Sequence, residues 1–501
     1  MLPNTHSIPS IGCTPTRTPC RFDVTPPISF RSPEGREQTA REACPRGVLP
    51  LDVEVIYENA CLLTGERVIH RGYVGVRQGL ITALGAGKSP VHLRARRRVD
   101  ARNCIILPGL INCHTHVALV FARGLTQVSG RDPLYDLVWP VEAQLEPEET
   151  YHLARLGIAE CLLSGTTTIV DHYFHADQVA RACVELGIRA WLGYTIMQQH
   201  GPLVGEEHRQ SALIFVERWS GRHPLVRPMV APHAPDTLSE RWHQDLVTIA
   251  RQLGLKRHMH LAQSPVEVQR IRERGFRSPV QYAWDRGLLG DDLLAAHCIH
   301  VDAQDLDLIC QSGTTVVYCP TVHASGGKVA PVAAMRERGV RVVLGSDCAA
   351  GNDDLDMWEE MRMAMASQNI ARGQRLVLSP GEVLAMVTRE AGVALGEGGS
   401  LGVLRTGAVA DLVILDRNSV RLQPPGDQVS TVVTCTHPSE IVEVMVGGKV
   451  VVRRGRLLTG DQGEIARLGS EAAATLLSKA AARHGWLQEL LSKIAVGEHR
   501  A

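Results

Sequence analysis

The chain carries no net charge at neutral pH, because 53 Lys and Arg balance 53 Asp and Glu among its 501 residues. It therefore lacks the global field that holds nucleic acid or an anionic membrane, and no block of like charges replaces that field. It also lacks the roughly 18–20 consecutive apolar residues of a membrane span, and residues 1–48 contain no apolar core of a secretory signal. Its 13 cysteines are odd in number, unevenly spaced and free of Cys-x-x-Cys pairs. Neither a disulfide framework nor a Cys-rich zinc module fits that pattern. These absences lead to the expectation of a cytoplasmic protein whose partner is a small molecule, with no nucleic acid and no membrane involved.

The composition, 44% hydrophobic and 21% charged, supports a large core. Residues 1–48, rich in Pro, Thr, Ser and Arg, are expected to form a disordered extension, since they bury too little apolar surface to offset chain entropy. Short β-rich pieces follow from Leu51, at 53–57, 73–76 and 81–84, and the same texture returns at 411–415 and 441–450. The two sets are expected to pair into one composite β-sandwich, 49–107 with 402–460. Between them, over 108–401, eight apolar runs alternate with helical text: 105–116, 166–173, 190–197, 226–235, 256–263, 293–301, 314–321 and 341–348. Leu153, Leu156, Ala159 and Leu163, after the acidic start Glu146-Pro147-Glu148-Glu149, show the helical period. Eight strands each followed by a helix read as an α/β fold of the (β/α)8 type, whose active site lies at the C-terminal strand ends. Residues 461–501 read as a helical segment, with Leu476, Leu477, Ala480 and Ala481 spaced to pack on the barrel or across a dimer.

Chemistry concentrates at those strand ends. His114-Thr115-His116 closes the first run, His258-Met259-His260 lies in the fifth, His297-Cys298-Ile299-His300 in the sixth, and Gly345-Ser346-Asp347 in the eighth. Two histidines from one strand, a third from another and a carboxylate form an N3O set suited to Zn²⁺ or Fe²⁺, with a position left for water. Such a cation brings the pKa of its water towards ~7. Asp347 is then placed to take the water proton, and His297 to orient the water or stabilise the developing oxyanion.

Pro108-Gly109-Leu110-Ile111-Asn112-Cys113-His114-Thr115-His116 with Arg123-Gly124-Leu125 resembles the first-strand signature of the amidohydrolase superfamily. Ser164-Gly165-Thr166-Thr167-Thr168, Pro232-His233-Ala234-Pro235, Ala296-His297-Cys298 and Gly345-Ser346-Asp347 through Met357 resemble, in order and spacing, its branch of nucleobase, methylthioadenosine/S-adenosylhomocysteine and s-triazine aminohydrolases. The resemblance covers about 51–455. It implies a metal-dependent barrel with an added β-sandwich, one divalent ion held by His114, His116, His260 and Asp347, catalytic roles for His297 and Asp347, and substrate contact by His233. It further implies a homodimer or larger homo-oligomer, and hydrolytic deamination of an aromatic N-heterocycle. Cyclic-amide hydrolysis, dechlorination or a non-catalytic barrel are the alternatives.

One position departs from that branch. Three residues after His260, where a Glu shuttles a proton in most of its deaminases, stands Gln263, which donates and accepts hydrogen bonds but delivers no proton at neutral pH. Gln263 is expected to read a ring edge, and Glu267, one helical turn on, is expected to be a solvated helix residue. Asp136 is the nearest counterpart of a Glu that contacts ribose hydroxyls in the nucleoside deaminases, although the segment to Trp139 is about three residues short. Trp139, His172, His200, His323 and Ser346 are further candidates to line the pocket.

Overall fold

The computed structural model describes residues 53–91, 93–129 and 132–495; the reading of 1–48 as a disordered extension lies outside them, as does the stretch 496–501. Eight parallel strands form the barrel: β1 (Leu110–Thr115), β2 (Thr166–Tyr173), β3 (Arg189–Ile196), β4 (Val226–Pro232), β5 (Arg257–Leu261), β6 (Leu293–His297), β7 (Thr315–Tyr318) and β8 (Val342–Leu344). Each pairs with the next in chain order. β8 returns to β1 where Thr115 bridges Asp347. There the Asp347 N–H donates to His114 O and the His116 N–H donates to Asp347 O, both at 3.0 Å.

Strand alternation sorts the side chains into two buried sets. Ile111, Cys113, Val170, Trp191, Met229, Leu294, Val317 and Val343 cluster with Ala391, Ala394, Leu395 and Leu401 from the chain after β8. Leu192, Leu293, Ala295, Val316, Tyr318, Val342 and Leu344 belong instead to the large core shared with the helices. Helix Pro147–Leu163 opens with proline at its first turn, and Glu149 accepts from the Glu146 N–H at 3.0 Å. That bond secures an amide at a helix start, where N–H groups lack intrahelical partners.

The last three strands are shorter than the apolar runs imply. β6, β7 and β8 stop at His297, Tyr318 and Leu344 rather than at 301, 321 and 348. His297 and Cys298, at the end of β6, have φ of 79° and 47°, and Asp347, three residues beyond β8, has φ of 62°, left-handed conformations that cost about 1–3 kcal/mol each unless their surroundings hold them. Of these, His297 and Asp347 line the barrel mouth, whereas Cys298 packs in the main core.

Strands Val53–Leu63, Val68–Arg77, Leu80–Ala86, Ala95–Asp100 and Cys104–Pro108 join Leu412–Asp416, Ile441–Val446, Lys449–Arg453 and Arg456–Leu457 in a separate nine-stranded mixed sheet. The two chain segments meet in the antiparallel pair of Cys104–Pro108 with Leu412–Asp416, over a core that includes Val55, Leu62, Val74, Ile106, Ile414 and Met445. Arg189 of β3 grips Asp411 through two hydrogen bonds of 2.8 and 3.1 Å, tying sheet to barrel. Helix Gln462–Ala481 lies on helix Pro147–Leu163, with Leu476 and Ala480 in the main core and Lys479 Nζ 2.5 Å from Glu149 Oε1. No helix among the described residues is long and apolar enough to cross a membrane.

Candidate active site

β1, β5, β6 and β8 bring the expected histidines and aspartate to one point. His114 Nε2 and His116 Nε2 each lie 3.6 Å from Asp347 Oδ1, and His116 Nε2 lies 3.3 Å from His260 Nε2. Four donors at ~2.0–2.2 Å from a tetrahedral ion stand roughly 3.3–3.6 Å apart. Gly345 makes the approach of β8 to β1 feasible, since a Cβ on it would fall 2.8 Å from the backbone of His114.

The far nitrogens of these rings are fixed by the fold. His116 Nδ1 donates to His172 O at 2.8 Å and His260 Nδ1 donates to His233 O at 3.1 Å. Because a carbonyl only accepts, both protons sit on Nδ1, and both Nε2 atoms present lone pairs to the centre. His114 Nδ1 lies 2.7 Å from His258 Nε2 and must donate there if His114 Nε2 is to offer a lone pair, which leaves the His258 Nδ1 proton without a partner among the described residues, a cost that binding of an ion at His114 offsets. Ring partners of this kind orient metal-binding histidines and raise their basicity.

Electrostatics favour the same state. Burial, with neighbouring imidazoles, holds protonation of His114 and His260 well below the ordinary histidine range, and burial lowers His116 to about 4. Burial also pushes the Asp347 carboxyl up to about 7, a penalty that a bound divalent cation reverses. His114 Nε2 is buried without a hydrogen-bond partner among the described residues, which costs about 1–3 kcal/mol unless something binds there. His114, His116, His172 and His260 offer donors within 4.8 Å of one another, as do His114, His297 and Asp347. Neutral nitrogen donors, one carboxylate and an orphaned buried nitrogen fit a divalent ion.

Above the centre lies a cavity of about 150 Å³. Asp347, His260, His297, His233, Gln263 and Trp139 all line it, with an apolar wall of Leu119, Phe174, Met197 and Val322. His172 lines it too. His323 stands behind His297, its Nε2 3.0 Å from His297 Nδ1. Ser346 instead accepts from Asn112 Nδ2 at 2.7 Å away from the cavity lining, and His200 is exposed.

Two carboxylates stand elsewhere than the sequence implied. Asp136 is exposed on the short helical turn Pro133–Val138 and does not line the cavity. Glu142, three residues beyond Trp139, does line it and is only 3% exposed. Burial pushes its carboxyl up to about 8, beside Tyr173. Glu267 is not a solvated helix residue but fully buried. Its Oε1 accepts from the Ala262 N–H at 2.9 Å and its Oε2 from the Gln263 N–H at 2.8 Å, holding the left-handed turn at Ala262 that carries Gln263 to the cavity. The Trp-Pro-x-Glu spacing after β1 was the available signal for Glu142, whereas the spacing around Glu267 reads as an ordinary helix start.

Comparison with known proteins accords with this geometry. The sequence profile of the amidohydrolase family matches residues 105–451. A 5-methylthioadenosine/S-adenosylhomocysteine deaminase of Desulforudis audaxviator is 35% identical over 416 residues, 81% of this chain and 95% of that protein. A 5'-deoxyadenosine deaminase of Methanopyrus kandleri is 34% identical over 75% of this chain and 87% of its own. An adenosine deaminase of Xanthomonas campestris, solved with bound zinc, superposes with a TM-score of 0.80 at 26% identity, over 86% of this chain and all of that one. Strand-end motifs, barrel, convergent donor set and sequence profile agree, and the chain belongs to the amidohydrolase family.

Proposed function

We propose that this chain is a zinc-dependent aminohydrolase that removes the exocyclic amino group of an adenine-type nucleoside as ammonia. The convergence of three imidazole Nε2 atoms and Asp347 beneath a largely apolar cavity carries the reading. The substrate class follows from the relatives named above. His114, His116, His260 and Asp347 would hold the ion, which when bound lowers the pKa of water and makes a nucleophile available at neutral pH.

The chain's own residues supply the rest. Asp347 accepts the proton of the attacking water and is placed to return it to the departing nitrogen. His297, with Nε2 4.0 Å from Asp347 Oδ2, steadies the charge that develops as water adds to the ring carbon. The C–N bond then breaks, and ammonia leaves with both amine hydrogens and one proton from water. Gln263 reads a ring nitrogen or carbonyl edge through its amide, because a carboxamide transfers no proton at neutral pH. Trp139, Phe174 and Met197 cover the ring faces and exclude water, while Glu142, rather than Asp136, offers the carboxyl that substrate hydroxyls can meet.

The test is ammonia release by the Zn-loaded protein across adenine nucleosides, aminopurines, aminopyrimidines, aminopterins and amino-s-triazines. Fastest turnover on an adenine nucleoside is the expected result. Turnover confined to a free base or a triazine overturns the nucleoside assignment. Gln263 favours one second reading, a leaving group such as chloride that departs without a proton, and chloride release from a chlorinated ring measures it.

A further inference from the structure

We propose that His323 donates a hydrogen bond from Nε2 to His297 Nδ1 and so holds His297 as the tautomer with its proton on Nε2, a fixed donor facing the cavity. The inference rests on the reading of His297 as a catalytic residue, and it adds the form in which His297 works. His323 is on this account a positioning residue.

The two ring nitrogens are 3.0 Å apart, and the side chains are buried, with His297 5% and His323 3% exposed. His323 is anchored on the short helix Pro320–Ser325 that follows β7. Its backbone N–H donates to Cys319 O at 3.1 Å and its carbonyl accepts from the Lys328 N–H at 2.9 Å. The Tyr318 ring lies 5.3 Å from the imidazole. The ring thus stands behind His297, which turns its other nitrogen towards Asp347 and the cavity.

A neutral imidazole carries one proton, so only two arrangements satisfy the contact. If His323 accepted at Nε2, its own proton would sit on Nδ1, which has no partner among the described residues. That arrangement buries an N–H with no acceptor, the rarer kind of unsatisfied group in folded proteins. If His323 donates from Nε2, its Nδ1 is a bare lone pair and no N–H is stranded. Burial, aided by the charges of Lys328 and His300, keeps His323 neutral, with its pKa lowered to about 3. Donation from His323 requires His297 Nδ1 to accept and places the His297 proton on Nε2. In that form His297 stabilises charge by hydrogen bonding and is not the base, which leaves the proton of the attacking water to Asp347.

The experiment uses 15N-histidine-labelled full-length protein, with the His297 ring signals assigned by their loss in His297→Gln. In wild type the expected spectrum has Nε2 protonated and Nδ1 bare. His323→Phe should abolish that preference, whereas His323→Gln, whose amide also donates, should keep it. In steady-state kinetics His323→Phe should lower kcat about 10–100-fold with little change in KM, and His323→Gln should recover most of the loss. A wild-type proton on Nδ1 overturns the proposal without reference to any variant. So does an unchanged kcat in His323→Phe. Two metal equivalents per chain, with one lost in His323→Phe, also overturn it, because His323 would then be a ligand beside His297 and Cys319, whose donors lie within 4.8 Å. Since the tautomer is read without substrate, a His323-dependent tautomer in a protein that deaminates nothing supports this proposal while removing the proposed function.

Discussion

His258 touches no substrate, yet His114 depends on it. Its Nε2 is the partner 2.7 Å behind the ring whose other nitrogen faces the centre, and loss of such a partner costs about 10–100-fold in metal affinity. His258→Phe should therefore weaken zinc retention by that factor in competition with a chelator, and a change below about threefold would contradict the assigned role. Glu142 makes a different demand. Burial raises its carboxyl from 4.5 to about 8, so between those values the folded chain keeps a proton that the unfolded chain releases. Its contribution to stability is full below about pH 4.5 and is lost as pH rises towards 8. Glu142→Gln stays neutral throughout, so urea denaturation should show the variant gaining on wild type between about pH 5 and pH 8; a constant difference would refute the buried carboxyl. At this scale strand ends in a barrel are marked positions and drew attention to the histidines and Asp347, while the choice of His114, His116, His260 and Asp347 as the set came from the family resemblance. Glu142 escaped notice and Glu267 was read as solvated because a carboxylate in helical text ordinarily faces water, and only the tertiary fold reveals its burial.

Glu267 acts on an element, the turn that ends β5. Its two oxygens secure the N–H groups of Ala262 and Gln263, and Ala262 has φ 51°. Glu267→Ala leaves both buried donors without their acceptor, at about 1–3 kcal/mol each. Chemical denaturation should register a loss of about 2–4 kcal/mol, and kcat/KM should fall as Gln263 loses its position; a loss below about 0.5 kcal/mol would mean the turn holds itself. The existence and order of all eight barrel strands were legible from apolar runs and the periodicity between them. The ends of β6, β7 and β8 were not, because the apolar runs continue in sequence past them, and at β6 the left-handed His297 and Cys298 turn the chain out of the sheet. His297, strained at the end of β6, also faces the site.

Across the whole molecule, the barrel closes where its candidate ligands lie. β8 meets β1 through the reciprocal bonds of Asp347 with His114 and His116, so the candidate ligands and barrel closure share residues. Anything that binds the folded chain alone stabilises it by mass action, and stripping the metal should lower the melting temperature by several degrees, restored by added Zn²⁺. A melting temperature indifferent to chelator would separate closure from metal binding. The composite sheet was readable from matching β-rich text at the two chain regions, but its link to the barrel through Arg189 and Asp411 joins residues too far apart in sequence to pair by inspection. The central claim is that His114, His116, His260 and Asp347 form one metal centre that hydrolyses a C–N bond. The most direct measurement is metal content and ammonia release on an adenine nucleoside in the same preparations of wild type and Asp347→Ala. The account predicts about one zinc per chain and turnover in wild type, with turnover lost and zinc diminished in Asp347→Ala; equal ammonia release by the two proteins would contradict it.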